Sequence, residues 1–267
     1  MDFRDKLVKA CQKNKSRLCI GLDPELQKIP SFIRENQEPL WAFNKALIEN
    51  TIDLVCAYKP NLAFYEAEGI PGLLSLKKTI EFIGGRVPVI LDAKRGDIGN
   101  TAKAYAQMAF KEMQADAVTL SPYMGFDSLE PFFSYKEKGS FILCLTSNPG
   151  AADFQKPELY KQVARKCYEW SKQNRNIGLV VGATNPGELK EIRRLAPGLV
   201  FLVPGIGAQG GDLQEVLAAG LTSAEDQVVI NASRSIIYAS DGKDFAKKAG
   251  AEADKLRKRI NELRPIS

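Results

Sequence analysis

Histidine is absent from this 267-residue chain, and that single absence excludes a wide range of chemistry. Without imidazole there is no His-based nucleophile triad, no His metal ligand and no imidazole proton shuttle. Acid–base work falls to Lys, Asp, Glu, Tyr or Cys. The five cysteines (Cys11, Cys19, Cys56, Cys144 and Cys167) are odd in number, widely spaced and form no C-x-x-C pair. That usage points to buried thiols in a reducing compartment. No apolar run approaches the roughly 20 residues that span a bilayer. The opening Met1-Asp-Phe-Arg-Asp-Lys6 lacks the pattern of a secretory signal. The expectation is a cytoplasmic protein with no membrane partner. No basic run carries interleaved aromatics, so nucleic acid is not an expected partner either. A formal charge of +5 is modest and spread among acids throughout. No Pro/Ser-rich linker or low-complexity segment divides the chain. Its length and 45% hydrophobic content suit one large domain over residues 1–267, with two small ones as the other option.

Short apolar segments recur with longer amphipathic ones between them. The strand candidates are Leu18–Asp23, Val55–Asn61, Val87–Asp92, Ala117–Leu120, Phe141–Thr146, Gly178–Gly182, Val200–Pro204 and Val228–Ala232. Between them lie helix candidates Leu40–Leu54, Gly72–Ile83, Asn100–Met113, Pro157–Gln173, Pro186–Leu195 and Leu213–Ala219. Phe3–Cys11 reads as a leading helix capped by Asp2, and Lys243–Leu263 as a long closing one. Strands that alternate with helices predict an α/β fold with a parallel sheet. Eight such units in this length match a closed (β/α)8 TIM barrel. A doubly wound open sheet remains the rival, because a strand count does not show closure.

In a barrel, chemistry sits at the C-terminal ends of the strands. Polar residues collect there: Asp23 after the first strand, Lys59 and Asn61 on the second, Asp92 and Lys94 on the third. Asp92, Lys94 and Asp97 crowd into six residues behind an apolar run. Alternation would turn Asp92 and Lys94 to one face and Ala93 to the other. Alternating carboxylates and ammoniums keep one another ionised, and a positioned ammonium can both stabilise a carbanion and protonate it. A salt-bridge network capping the barrel mouth would also explain the cluster. Further along, Pro204-Gly-Ile-Gly-Ala-Gln-Gly-Gly-Asp212 carries four glycines in seven positions. Such a stretch lets backbone N–H groups converge on an anion, although flexible surface loops look similar. Its spacing is neither that of a P-loop nor of a dinucleotide fingerprint. Asn231-Ala-Ser-Arg234 adds a guanidinium beside it.

Asp92-Ala-Lys-Arg-Gly-Asp-Ile98 resembles the D-x-K-x-x-D-I signature of the orotidine 5′-phosphate decarboxylase family. Asp23, Lys59, Thr146-Ser-Asn-Pro-Gly150, the Gly-rich stretch from Pro204 and Ser233-Arg234 follow that family in the same order, over about residues 17–240. Ser233 departs from the glycine that many shorter members have before the arginine, and the extra sequence Pro24–Pro39 is like the longer bacterial type. The resemblance implies a homodimer that converts orotidine 5′-monophosphate to UMP and carbon dioxide with no metal and no cofactor. It implies that Lys94 stabilises and protonates C6, that Asp92 lies beside the departing carboxylate, and that Lys59 holds Asp92 and the ribose. Asp23 would bind a ribose hydroxyl and Ser147 the pyrimidine. Gln209 would bridge base and phosphate, with Pro204, Gly205, Ser233 and Arg234 around the phosphate. Asp97, Ile98 and Thr101 would reach into the partner subunit's site.

Two other readings stay open. One is a Mg²⁺-dependent sugar-phosphate aldolase or decarboxylase on the same barrel, such as hexulose-phosphate synthase. The other is a catalytically silent nucleotide sensor.

Overall fold

The computed structural model describes residues 1–184, 186–206, 212–221 and 228–263. Its strands are β1 (Leu18–Leu22), β2 (Ala57–Pro60), β3 (Ile90–Arg95), β4 (Ala117–Leu120), β5 (Gly139–Leu145), β6 (Ile177–Val181), β7 (Val200–Pro204) and β8 (Val228–Ala232). Every ladder between them is parallel, in the order β2-β1-β8-β7-β6-β5-β4-β3. The two end strands then meet through the parallel bridges Tyr58↔Val89 and Asn61↔Asp92. The sheet therefore curls into a (β/α)8 barrel, and the open-sheet rival falls. Strands covered by helices outside and filled by side chains inside need apolar residues on both faces, which is why they read as continuous apolar runs.

The side chains of β1 alternate between two apolar clusters. Leu18, Ile20 and Leu22 pack outward into the shell under the helices. Cys19 joins Ala57, Ile90, Ala117, Phe141 and Val229 in a separate cluster inside the ring. The leading helix, Phe3–Asn14, seals one end of that interior. Asp2 caps it by accepting from the Asp5 N–H at 2.9 Å, and Phe3, Leu7 and Cys11 turn inward. Phe3 meets Phe141 edge-on, with ring centroids 5.6 Å apart. A Cβ on Gly139, the first residue of β5, would lie 2.6 Å from the Phe3 ring. The plug thus sits where the strands begin, and the ends of the strands are left for chemistry.

Several boundaries differ from expectation for local reasons. The segment after β1 forms a short 3₁₀ turn, Leu26–Lys28, and a helix, Ser31–Arg34. An additional helix, Leu62–Glu66, starts where Asn61 accepts from the Ala63 N–H at 3.2 Å. The helix expected over Asn100–Met113 is α-helical over Gly99–Gln107 and turns π-helical over Met108–Glu112. Most consequential is β3, which does not stop at Asp92 but continues through Arg95. All five cysteines are buried and unpaired. Among the described residues no helix is long and apolar enough to cross a membrane.

Candidate active site

Asp92 is the centre around which the other charges gather. Lys59 Nζ lies 2.8 Å from its Oδ2, and Lys94 Nζ lies 2.7 Å from its Oδ1. The Thr119 hydroxyl donates to that same Oδ1 at 2.8 Å. Lys59 is 5% exposed and Asp92 9%, whereas the Lys94 side chain is about half exposed, with 49% of its surface open. Burial works against the Asp92 charge, but Lys59 and Lys94 outweigh it and hold the carboxyl well below the usual range. Burial likewise opposes the Lys59 ammonium, and Asp92 and Asp23 overcome it, lifting Lys59 above the ordinary lysine range. Both groups stay ionised near neutrality. The fold thus presents a buried cation–anion pair with a second, reachable ammonium on top.

Lys94 reaches Asp92 in an unexpected way. Simple pleating would have brought the two side chains to one face. Instead Lys94 has φ +46°, in the left-handed region, and the β3–β4 register shifts between Leu91 and Arg95. Residues with a Cβ are uncommon there, and such strain clusters at functional sites.

The ends of β1 and β8 build one cavity of about 250 Å³, lined by Asp23, Lys59, Asp92, Asn231, Ser233 and Arg234 with Pro204 and Gly205 of the β7 end. Asp23 rides on a fixed backbone: Tyr65 Oη donates to Leu22 O at 3.0 Å and Tyr238 Oη to Asp23 O at 3.2 Å. The Asp23 Oδ1 and Asn231 Oδ1 atoms are buried with no hydrogen-bond partner among the described residues. Ser233 donates to Gly21 O at 3.1 Å, and the close approach depends on glycine, since a Cβ at Gly21 would lie 2.7 Å from Ser233 Cβ.

A second cavity of about 250 Å³ adjoins the first and shares Lys59, Asp92 and Pro204 with it. Lys94, Thr119 and Ser147 give it polar walls, and Leu143, Val180 and Leu202 an apolar floor. The Ser147 hydroxyl is buried and unpartnered among the described residues. A Cβ at Gly182 would overlap Ser147 Oγ, so glycine there is what lets the serine sit at the wall. Thr146 beside it is pinned by Gln155, whose Oε1 accepts from the Thr146 N–H at 2.7 Å.

Of the residues singled out from sequence, Asp23, Lys59, Asp92, Lys94, Ser147, Pro204, Gly205, Ser233 and Arg234 line these two cavities. Asp97, Ile98 and Thr101 do not. Asp97 accepts from the Ile98 N–H at 2.8 Å, Ile98 is exposed, and Thr101 is exposed on the helix that follows. Gln209 lies outside the described residues. Thr119 was not anticipated, although the alternation of β4 places it on the same face as inward-turned Ala117. Asn231, named above only in the stretch that carries Arg234, proves to be buried in the cavity wall. Cys19 sits beneath the charges, and burial pushes its thiol far above the usual range, with Lys59 opposing, so it is no nucleophile. Among the described residues no three His, Cys, Asp or Glu side chains come together as a metal site. Two joined pockets, with two ammoniums around a carboxylate where they meet and a guanidinium lining one of them, suit a small anionic molecule.

Comparison with known proteins agrees with this geometry. Residues 16–249 match the model of the orotidine 5′-phosphate decarboxylase / HUMPS family. An orotidine 5′-phosphate decarboxylase from Herpetosiphon aurantiacus is 52% identical over 253 residues, spanning 92% of this chain and 93% of its own. Among solved structures, OMP decarboxylase from Leishmania donovani is 42% identical with a TM-score of 0.86, covering 99% of both chains. UMP synthase from the same organism is 43% identical with a TM-score of 0.88; the match covers 99% of this chain and 57% of that longer one.

Proposed function

This chain belongs to the orotidine 5′-phosphate decarboxylase / HUMPS family, and on that premise we propose that it converts orotidine 5′-monophosphate to UMP and carbon dioxide in pyrimidine synthesis. The observation that carries the reading is Asp92 gripped between Lys59 and Lys94 at the junction of the two cavities. The pyrimidine occupies the cavity walled by Ser147, and the ribose and phosphate occupy the one that runs from Asp23 to Arg234. The C6 carboxylate then meets the ionised Asp92. The C6–carboxylate bond breaks, carbon dioxide leaves, and the electron pair stays on C6. Lys94 faces that lone pair with an ammonium, stabilises it, and gives it a proton to form UMP. Binding energy from the remote phosphate helps to hold a strained junction of like charges. Gln209 is assigned to the closing of the phosphate side on the resemblance alone.

Asp97, Ile98 and Thr101 belong, in this reading, to the site of a partner subunit. Exposed Ile98, Tyr123 and Met124 on the segments after β3 and β4 support a face that a second copy covers. A reducing, cytoplasmic location fits five unpaired cysteines.

Nothing in the site favours the metal-dependent aldolase. Asp92 has an ammonium on each oxygen, and Lys59 stands where that chemistry needs a carboxylate. A spectrophotometric assay with orotidine 5′-monophosphate tests the assignment. Turnover should persist in EDTA; turnover lost to EDTA and restored by Mg²⁺, or no turnover at all, overturns it.

A further inference from the structure

We propose that Thr119 is the positioning residue of the catalytic lysine, holding both the Lys94 backbone and the Asp92 carboxylate with one hydroxyl. The inference rests on the reading of Lys94 as proton donor. Its basis is the break in the β3–β4 ladder. Leu91 pairs with Val118 and Arg95 with Leu120, so Asp92, Ala93 and Lys94 stand opposite Thr119 alone. A bulge of this kind leaves a backbone N–H without its ladder acceptor. Thr119 Oγ1 takes that place, accepting from the Lys94 N–H at 3.0 Å.

The direction of the second bond then follows. Asp92 is held ionised and can only accept, so the hydroxyl proton of Thr119 points at Asp92 Oδ1, 2.8 Å away. Lys94 Nζ contacts that same oxygen at 2.7 Å. One side chain therefore fixes the two ends of the lysine's reach: the backbone it starts from and the carboxylate it ends on. The backbone end is costly to hold, because Lys94 is at φ +46°. Thr119 is 1% exposed and, being β-branched, has few χ1 choices, so it makes a stiff anchor. Valine would keep the shape and lose both bonds. Serine would keep both bonds with a looser side chain.

The test compares Thr119→Val and Thr119→Ser with the unaltered protein, each as the full chain, with Lys94→Ala as reference. In Thr119→Val we expect kcat to fall about 10- to 100-fold, the loss of a hydrogen bond to a charged group, with KM and UMP affinity changed less than about threefold. Serine should restore kcat to within about threefold of the original. The acid limb of the kcat profile should move to higher pH in the valine variant, because Asp92 loses a donor that favours its ionised form. If valine impairs folding, Thr119→Ala carries the same comparison against serine. Unchanged kcat in valine or alanine, with Lys94→Ala inactive, overturns the positioning role and leaves the proposed reaction standing. Equal losses of kcat and UMP affinity in valine and serine, with an unmoved pH profile, mean a merely structural residue and overturn it too. Turnover retained by Lys94→Ala overturns both readings together.

Discussion

Replacing Lys59 by methionine isolates the buried ion pair, since it keeps the length of the side chain and removes the ammonium. Lys59 and Asp92 are 5% and 9% exposed and 2.8 Å apart, so the substitution leaves a buried carboxylate short of one cation. Removing one partner of such a pair typically costs about 3–5 kcal/mol. Asp92 keeps Lys94 and Thr119, so the lower end applies, about 3 kcal/mol. For a chain of this size that corresponds to a melting temperature roughly 6–12 °C lower. The pH dependence fixes the cause. Asp92 is depressed in the folded state, so its contribution to stability is complete above the unfolded carboxyl value of about 4 and is lost as pH falls through the folded value. Lys59→Met brings the folded value back up. The stability gap from the unaltered protein should therefore stay full from neutrality down to about pH 4 and narrow as pH falls further. Asp92→Asn should be at least as damaging, because it strands the buried Lys59 ammonium, and the double variant Lys59→Met/Asp92→Asn should recover part of the loss. Scanning calorimetry across that pH range reads all of this. A neutral-pH melting temperature within about 1 °C of the original, or a gap that widens in acid, would show that the Lys59–Asp92 pair does not carry this stability.

Three other outcomes follow from the proposed site and the proposed dimer. Gly182→Ala should push Ser147 from the cavity wall and lower kcat/KM roughly 100-fold; steady-state kinetics equal to the original would show that Ser147 is not a wall of the site. Arg234→Ala should cut kcat/KM by roughly 10- to 100-fold through lost phosphate binding, so an unaffected KM and kcat would remove the guanidinium from the site. Asp97→Ala and Lys94→Ala subunits, each inactive alone, should regain about a quarter of full activity after random exchange, because half the dimers then hold one intact site. No recovery after exchange is demonstrated by mass would count against a shared site.

The barrel could be read in the sequence because its logic is local and repeated. Each strand is an apolar run that stops at a polar residue, and β1, β7 and β8 end within a residue of expectation. Asp23, Lys59, Asp92 and Arg234 were legible as charges that a solvated loop did not need. The path of β3 was not legible. Its apolar signal fades after Leu91, yet the chain stays in the sheet through Arg95 because Thr119 and the Arg95 pairing hold it there. That is a tertiary effect, invisible to a period of two. Thr119 was missed for a related reason: an uncharged polar residue in an apolar strand looks like tolerated background until the interior shows what it faces. Gly182 carries no sequence signal for its role, which depends on a serine from the neighbouring strand's loop.

In the proposed reaction Lys94, held against Asp92 at the junction of the two cavities, is the group without which orotidine 5′-monophosphate cannot lose its carboxylate productively. The most direct test is Lys94→Ala, assayed for turnover and, in the same preparation, for UMP binding by calorimetry. Turnover should be abolished while UMP still binds. Turnover retained by that variant would contradict this role of Lys94.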